Sequence, residues 1–367
     1  MRTFVILLVG GLLASASMAV AAPRSGSPES QSLPGSAAAV EGLDAYSRGD
    51  YATALRKYAT AIEAGDTSAM SGLAMMYEHG YGVPQDDAKA AALFKKSADL
   101  GSTDGMSNLG TMYLMGRGVP QNDAQAFDLF RRAAAKGDTA AEANLGLMYQ
   151  NGRGVAPDER QALDWYLKSA AEDQPVVEEA IGRIYLFGET VPHDEHEGMK
   201  WLHRAALHGF ADAEFDLAAY YFSGQSTSMN QAEAMSWLAK AAAQDHPGAL
   251  TNLGVIYISG QGVPADPKKG IGFLTKAASM GSPGAFMNLG HAYAIGAGVP
   301  QDYTLAYAML SIAVDRGDSE DAVGFRKQIE PHLTPDQIAR ASALSKGWSP
   351  GKPLPGADSN LLSRERP

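Results

Sequence analysis

The 367-residue sequence predicts an all-α fold, an α-solenoid of helix-turn-helix repeats. Three observations carry this. Tyrosine recurs at positions 77, 113, 149, 185, 221, 257 and 293, a step of 36 residues without slippage. Two more columns keep the step: Gly80, Gly116, Gly152, Gly188, Gly224, Gly260 and Gly296 three residues after each tyrosine, and Leu73, Leu109, Leu145, Ile181, Leu217, Leu253 and Leu289 four before it. Within a period, apolar residues fall at i, i+3 and i+4, as in Leu145, Met148 and Tyr149, which is the stripe of an amphipathic helix. One such unit exposes an apolar face, and a stack of them buries it continuously.

The elements follow in chain order. Residues 1–21 read as a signal peptide: Arg2 supplies the positive start, an apolar run follows, and Ala19-Val20-Ala21 fits a cleavage site. The mature chain is expected to begin near Ala22, in the periplasm of a bacterium or secreted from it. The alternative is a retained anchor, although Pro23 and Arg24 break the apolar run short of a comfortable ~20-residue span. Residues 22–37, rich in Pro, Ser and Gly, read as a disordered linker. Residues 38–65 form a shorter helix pair whose second helix keeps the register, Tyr58 lying one period before Phe94.

Residues 66–317 hold seven repeats of 36. In the third, helix A is expected over Ala141 to Gln150 and helix B over Glu159 to Ala171. The column Ala74, Gly110, Gly146, Gly182, Ala218, Gly254 and Gly290 is small throughout, so helix B can approach the backbone of helix A. Gly101, Gly137, Gly209, Gly281 and Gly317 follow helix B, where a residue with positive φ ends a helix. Residues 318–348 are expected to be capping helices. Thr334-Pro335-Asp336-Gln337 has the form of a capping box with Pro at the first helical position, and Trp348 is placed to close the last apolar seam. Residues 349–367, again rich in Pro and Gly, read as a disordered tail.

Composition narrows the function. Net charge is −11, and Lys95-Lys96, Arg131-Arg132 and Lys268-Lys269 are only isolated basic pairs, so a nucleic-acid partner is not expected. The absence of cysteine excludes disulfides, thiol catalysis and Cys-zinc sites. No segment after the N-terminal one reaches the length of a membrane span.

The run Asn252-Leu253-Gly254, Tyr257, Gly260-Gln261-Gly262-Val263, Asp266, then Lys276-Ala277-Ala278 and Gly281 closely resembles the Sel1-like repeat, a relative of the tetratricopeptide repeat with a longer inter-helix loop. The resemblance covers about residues 66–317. It implies a right-handed superhelix whose concave groove holds a protein or peptide, in an adaptor or regulator of envelope or signalling processes. A cysteine-rich branch of that family with β-lactam-directed hydrolase activity supplies an alternative, which the lack of cysteine here weakens.

The Gly-x-Gly loops, "GYGVPQD" at Gly80 and its copies, have the composition of a phosphate cradle. A helix rather than a strand precedes them, and Thr190 and Ser226 replace the second glycine in two copies, so they read as turns. Asp86, Asn122, Asp158, Asp194, Asn230, Asp266 and Asp302 then stand as caps of helix B. His193 and His196, with His203 and His208 nearby, have metal-ligand chemistry but no clear third ligand, and no metal or cofactor is expected. No Ser-x-x-Lys or Gly-x-Ser-x-Gly motif occurs, and no catalytic residue is assigned.

The partner-binding candidates lie on helix A. Asn108, Asn144, Asn252 and Asn288 share one column, which the resemblance places in the groove; alternatively these amides bond the neighbouring unit's backbone. Three residues on, a variable column adds Arg183 and His291. A further column, with Leu114, Leu186, Phe222 and Ile258, is either an apolar strip for a partner or packing between units.

Overall fold

A computed structural model describes residues 36–170, 174–223, 231–317 and 320–356. Every regular element among them is helical. The first pair is α1 (Ala37–Ser47) and α2 (Tyr51–Glu63). Seven pairs follow, the odd-numbered member being helix A and the even-numbered helix B of each repeat. They are α3 (Thr67–His79) with α4 (Asp87–Asp99), α5 (Thr103–Met115) with α6 (Asp123–Ala134), and α7 (Thr139–Asn151) with α8 (Glu159–Ser169). Next come α9 (Pro175–Phe187) with α10 (Glu195–Leu207), α11 (Ala211–Phe222) with α12 (Gln231–Ala243), α13 (Pro247–Ser259) with α14 (Pro267–Ser279), and α15 (Pro283–Ile295) with α16 (Tyr303–Asp315). The chain closes with α17 (Glu320–Ile329), a short 3-10 turn and α18 (Pro335–Gly347). Two compact units result, one ending at Trp201 and the other beginning at Leu202.

The expected signal peptide lies outside the described residues, as does most of the linker. The linker ends earlier than expected, because Ser36 caps α1 through Ala39 N–H at 3.3 Å and its own N–H donates to Asp66 Oδ2 at 2.6 Å. The tail is also placed further than expected. Trp348 Nε1 donates to Lys352 O at 3.2 Å, Pro355 is buried, and Gly356 reaches Leu305; residues 357–367 lie outside the described part.

The core of each repeat comes from one contact. A Cβ on Gly110 would stand 2.8 Å from Phe130 Cε1, one on Gly146 2.5 Å from Tyr166 Cδ1, and one on Gly290 2.7 Å from Leu310 Cγ. The large residue of helix B therefore rests directly on the backbone of helix A. Phe130, Leu274 and Leu310 are fully buried as a result; burial of one such side chain is worth about 1.5–3 kcal/mol. The column with Leu114, Leu186 and Ile258 is packing too. All three are buried, and Leu186 and Ile258 pack on Gly198 and Gly270 of their own helix B.

The Gly-x-Gly loops do more than turn the chain. Among the described residues, five of the first glycines end helix A at positive φ, as at Gly80 (73°) and Gly116 (68°), while Gly188 is extended (φ −63°). The Asp or Asn that follows caps helix B: Asp86, Asn122, Asp158 and Asp266 each accept from the N–H three residues on, at 3.0 Å. Asn230 lies outside the described residues. The second glycines lie on the first turn of the helix B one repeat earlier: Gly118 on the carbonyl of Asp87, Gly154 on that of Asp123, Gly298 on that of Pro267. Side chains tie the first four loops to that helix. Arg117 bonds Asp87 at 3.0 Å and Glu78 at 2.7 Å, and Arg153 bonds Asp123 at 2.6 Å. In the first copy Tyr81 stacks on Tyr51 at 5.2 Å instead. In the fourth copy, where Thr190 stands for the glycine, the polarity inverts. Glu159 accepts from the N–H groups of Thr190 at 2.7 Å, Val191 at 3.1 Å and Glu189 at 3.3 Å. The loop is thus a contact between repeats.

The C-terminal helices close the stack. Thr334 and Gln337 form the reciprocal capping box on α18, and Trp348 sits edge-on to Phe286 at 4.7 Å with the Arg316 guanidinium 4.8 Å from its ring.

Candidate functional site

Residues at i, i+4, i+7 and i+11 of each A helix form one face. In α5 it reads Asp104, Asn108, Thr111, Met115; in α7 Ala140, Asn144, Leu147, Asn151; in α13 Gly248, Asn252, Val255, Ser259. The ends of the row are the open part: Asp104, Met115, Asn151, Phe187, Ser259 and Ile295 are exposed, while the central positions are half-buried or buried between adjoining helices.

The four asparagines do not share one environment. Asn108 is half-buried and its Nδ2 donates to Asp104 O at 2.8 Å. Asn288 makes the same bond to Gly284 O at 2.8 Å. In both, the partner is four residues back on the same helix, and since a carbonyl can only accept, each amide orientation is set with Oδ1 on the other side. Asn144 is 2% exposed, Asn252 9% and Asn288 8%, which leaves Asn108 as the most open of the set.

The two candidates of the variable column, Arg183 and His291, are both engaged. Arg183 pairs with Glu179 at 3.2 Å on its own helix. His291 lies 4.9 Å from the Phe325 ring of α17, and burial pushes its imidazole below the usual range. The last repeat is therefore covered on this face by the capping helix. Of the loop histidines, His193 and His196 are exposed, while His203 bonds Tyr221 Oη at 3.1 Å and stands edge-on to Trp237 at 5.8 Å.

Sequence reasoning passed over a second column on the A helices. It reads Met70, Met106, Glu142, Glu178, Glu214, Leu250, Phe286. The apolar members are fully buried, and Glu178 and Glu214 take the same buried position with carboxylates. The 36-residue register alone could have shown three consecutive acids in a core column. Burial pushes Glu142 and Glu214 above the usual carboxylate range. For Glu214 the bond from Gln244 Nε2 at 2.9 Å and the charge of Lys240 only partly offset it. A carboxylate with a raised folded-state pKa carries a penalty above that value, relieved as pH falls through it. Glu214→Gln, which can keep the Gln244 bond, is therefore expected to raise stability at neutral pH by about 1 kcal/mol and to remove part of the gain seen on mild acidification. Urea titrations at several pH values check this; an unchanged pH slope refutes it.

A repeating row of bases was also passed over, because it shows only in register. Lys96, Arg132, Lys168, Arg204, Lys240 and Lys276 occupy the last turn of six successive B helices, where a cation complements the helix dipole. Lys168 and Lys240 additionally sit over the rings of Trp165 at 3.8 Å and Trp237 at 3.6 Å.

Comparison with known proteins agrees with this architecture. The Sel1 repeat model matches residues 67–102, 103–138, 139–173, 179–210, 211–246, 247–282 and 285–318. Among solved structures, the chain is similar to a protective antigen of uropathogenic Escherichia coli with an SLR fold, at 32% identity over 84% of this chain and 67% of that one, TM-score 0.78. It is also similar to a Sel1 repeat protein from Oxalobacter formigenes, at 28% identity over 80% of this chain and 86% of that one, TM-score 0.62. A search of the curated proteins finds no significant match.

Proposed function

The chain belongs to the Sel1 repeat family, and from that premise we propose that it is an exported scaffold that holds an extended segment of a protein or peptide partner along the exposed face of its A helices. The supporting observation is the return, at one register in successive repeats, of an amide side chain flanked by a variable residue three positions on. Fixed polar positions can bond a polypeptide backbone, while variable neighbours read its side chains. In the first unit Asn108, the most open amide of the column, and Arg183 are the contacts; Asn144, Asn252 and Asn288 are buried and His291 is covered by Phe325, so they meet a partner only if the face opens. Export rests on the signal-like residues 1–21, and a place in envelope or signalling processes rests on the family resemblance.

The test is site-specific photocrosslinking in cells. A crosslinking residue at Thr111 or Leu147, on the A-helix face, is expected to give one defined protein adduct, and Asn108→Ala is expected to reduce that adduct about tenfold without changing Tm. A crosslinker at Asp128 on helix B, half-buried as a residue with its side chain 51% exposed, is the control. Equal adducts from position 128, or no effect of Asn108→Ala, refute the assignment of the face. N-terminal sequencing of the processed protein, with a start near Ala22 expected, tests export separately.

A further inference from the structure

Most junctions between one helix B and the next helix A follow one rule; those before α9 and α11 lack a side-chain cap at Gln174 and Phe210, and the one before α13 departs in another way. Most place a glycine at positive φ and then a polar cap: Gly65 with Asp66, Gly101 with Ser102, Gly137 with Asp138, Gly281 with Ser282. Between α12 and α13 the pair is Asp245 and His246 instead. Asp245 is the one non-glycine residue with positive φ (64°) among the described residues, and the Lys276 ammonium of α14 pairs with its carboxylate. A non-glycine residue in this region costs of order 1 kcal/mol, although Asp tolerates it better than most.

His246 caps α13 through its ring. Nδ1 accepts from Ala249 N–H at 3.1 Å, and Nε2 lies 3.1 Å from Asp212 Oδ1 of α11. The imidazole is clamped: its plane stacks on Phe215 at 4.5 Å, and a Cβ on Gly248 would stand 3.0 Å from its Cε1. The hydrogen-bond network sets the tautomer. Nδ1 must carry a lone pair to accept from an N–H, so the proton is on Nε2 and points to Asp212. No Asp or Ser cap behaves as this one does when the pH falls. A second proton on Nδ1 turns the acceptor into a donor facing the Ala249 N–H, and it sets a cation at the positive end of a helix.

We propose that His246 is a proton-operated cap, and that protonation of its ring releases the first turn of α13. The groups around the ring act in opposite directions. Asp212 attracts the imidazolium and draws it away from Ala249. Glu214, also on α11, is committed to Gln244, with the charge of Lys240 on α12 acting on that same carboxylate. Asp245 is neutralised by Lys276. The released turn leads into the segment of α13 that carries Asn252, so a partner held there would be affected, but the switch stands whether or not Asn252 meets a partner.

The experiment is NMR-detected amide exchange on the full chain, with protection factors for Ala249 followed across pH beside the titration of the His246 ring itself. Ala285, capped at the equivalent place in the next repeat by Ser282 Oγ at 3.3 Å, is the internal control. Ala249 is expected to lose about tenfold in protection, the equivalent of one lost cap, with the midpoint of the ring titration, while Ala285 holds. His246→Ser, which installs the cap used at Ser102 and Ser282, is expected to abolish the pH response and keep the protection. The proposal is overturned if Ala249 tracks Ala285 through the ring titration, or if His246→Ser keeps the response.

Discussion

Gly118→Ala is expected to destabilise the first unit by about 2–5 kcal/mol, although it adds a single methyl group to an exposed loop. Two costs combine. At φ +66° an L side chain is strained by about 1–2 kcal/mol. In addition, the new Cβ would run into the Asp87 carbonyl at the start of α4, which is backbone and cannot swing aside; a forced shift of this kind costs about 1–3 kcal/mol. The shift also pulls Arg117 from Asp87 and Glu78. Gly137→Ala separates the two costs. It has the same sign of φ (+83°) with nothing within 4 Å of the added Cβ, so only the strain remains. Urea denaturation of the three proteins checks this, ideally with a probe in α3 to α6, since repeats need not unfold as one unit. Equal losses for Gly118→Ala and Gly137→Ala would show that the loop does not depend on close contact with the preceding repeat.

Trp348→Ala is expected to cost about 3–5 kcal/mol, the range for deleting a buried tryptophan. The ring covers Phe286, which is fully buried at the start of α15, carries the Arg316 guanidinium on its face and anchors the following turn through Lys352 O. Its loss exposes the end of the last full repeat, and α17, α18 and α16 are expected to open before the rest of their unit. Trp348→Phe keeps the edge-on contact but loses the Nε1 bond and is expected to recover more than half of the loss. Hydrogen exchange resolved by helix distinguishes an opening confined to the end from a uniform loss, which would argue against Trp348 as the closing residue.

The two results probe features that were legible to different degrees. The role of Trp348 followed from its place after the capping box at Thr334, and the contact with Phe286 gives it a partner. The role of Gly118 was only half legible. Its recurrence marked a turn, but a turn inside one repeat needs only positive φ. Why the second glycine must also lack a side chain becomes visible only when the helix B one repeat earlier is seen lying against it. Glu159 makes the same point: in sequence it is a surface acid at the start of a helix, and in space it holds three N–H groups of a loop about thirty residues away.

The candidate face divides in the same manner. Its register was readable from the repeat, because side chains at i, i+4 and i+7 share a helix face wherever the helix lies. The accessibility of each member was not. Asn108 and Asn288 occupy one column and make one bond, yet one is half-buried and the other 8% exposed, and His291 is covered by Phe325 of the capping helix. Asn108 and Asn288 each donate through Nδ2 to the carbonyl four residues back on their own helix.

By itself, the sequence determined the period, the helix pair within it, the small column on which helix B rests and the caps of helix B. These depend on residues less than one repeat apart, where the spacing along the chain is also the spacing in space. Only the tertiary structure decided the docking of each loop on the preceding helix, the burial of Glu178 and Glu214 in a column otherwise apolar, and the linkage of His246 to Asp212 and Ala249. Those are contacts whose partners lie on different helices, about a repeat apart in several cases. A periodic sequence states that neighbouring repeats are alike, but which atoms of one face which atoms of the next depends on how the helices stack.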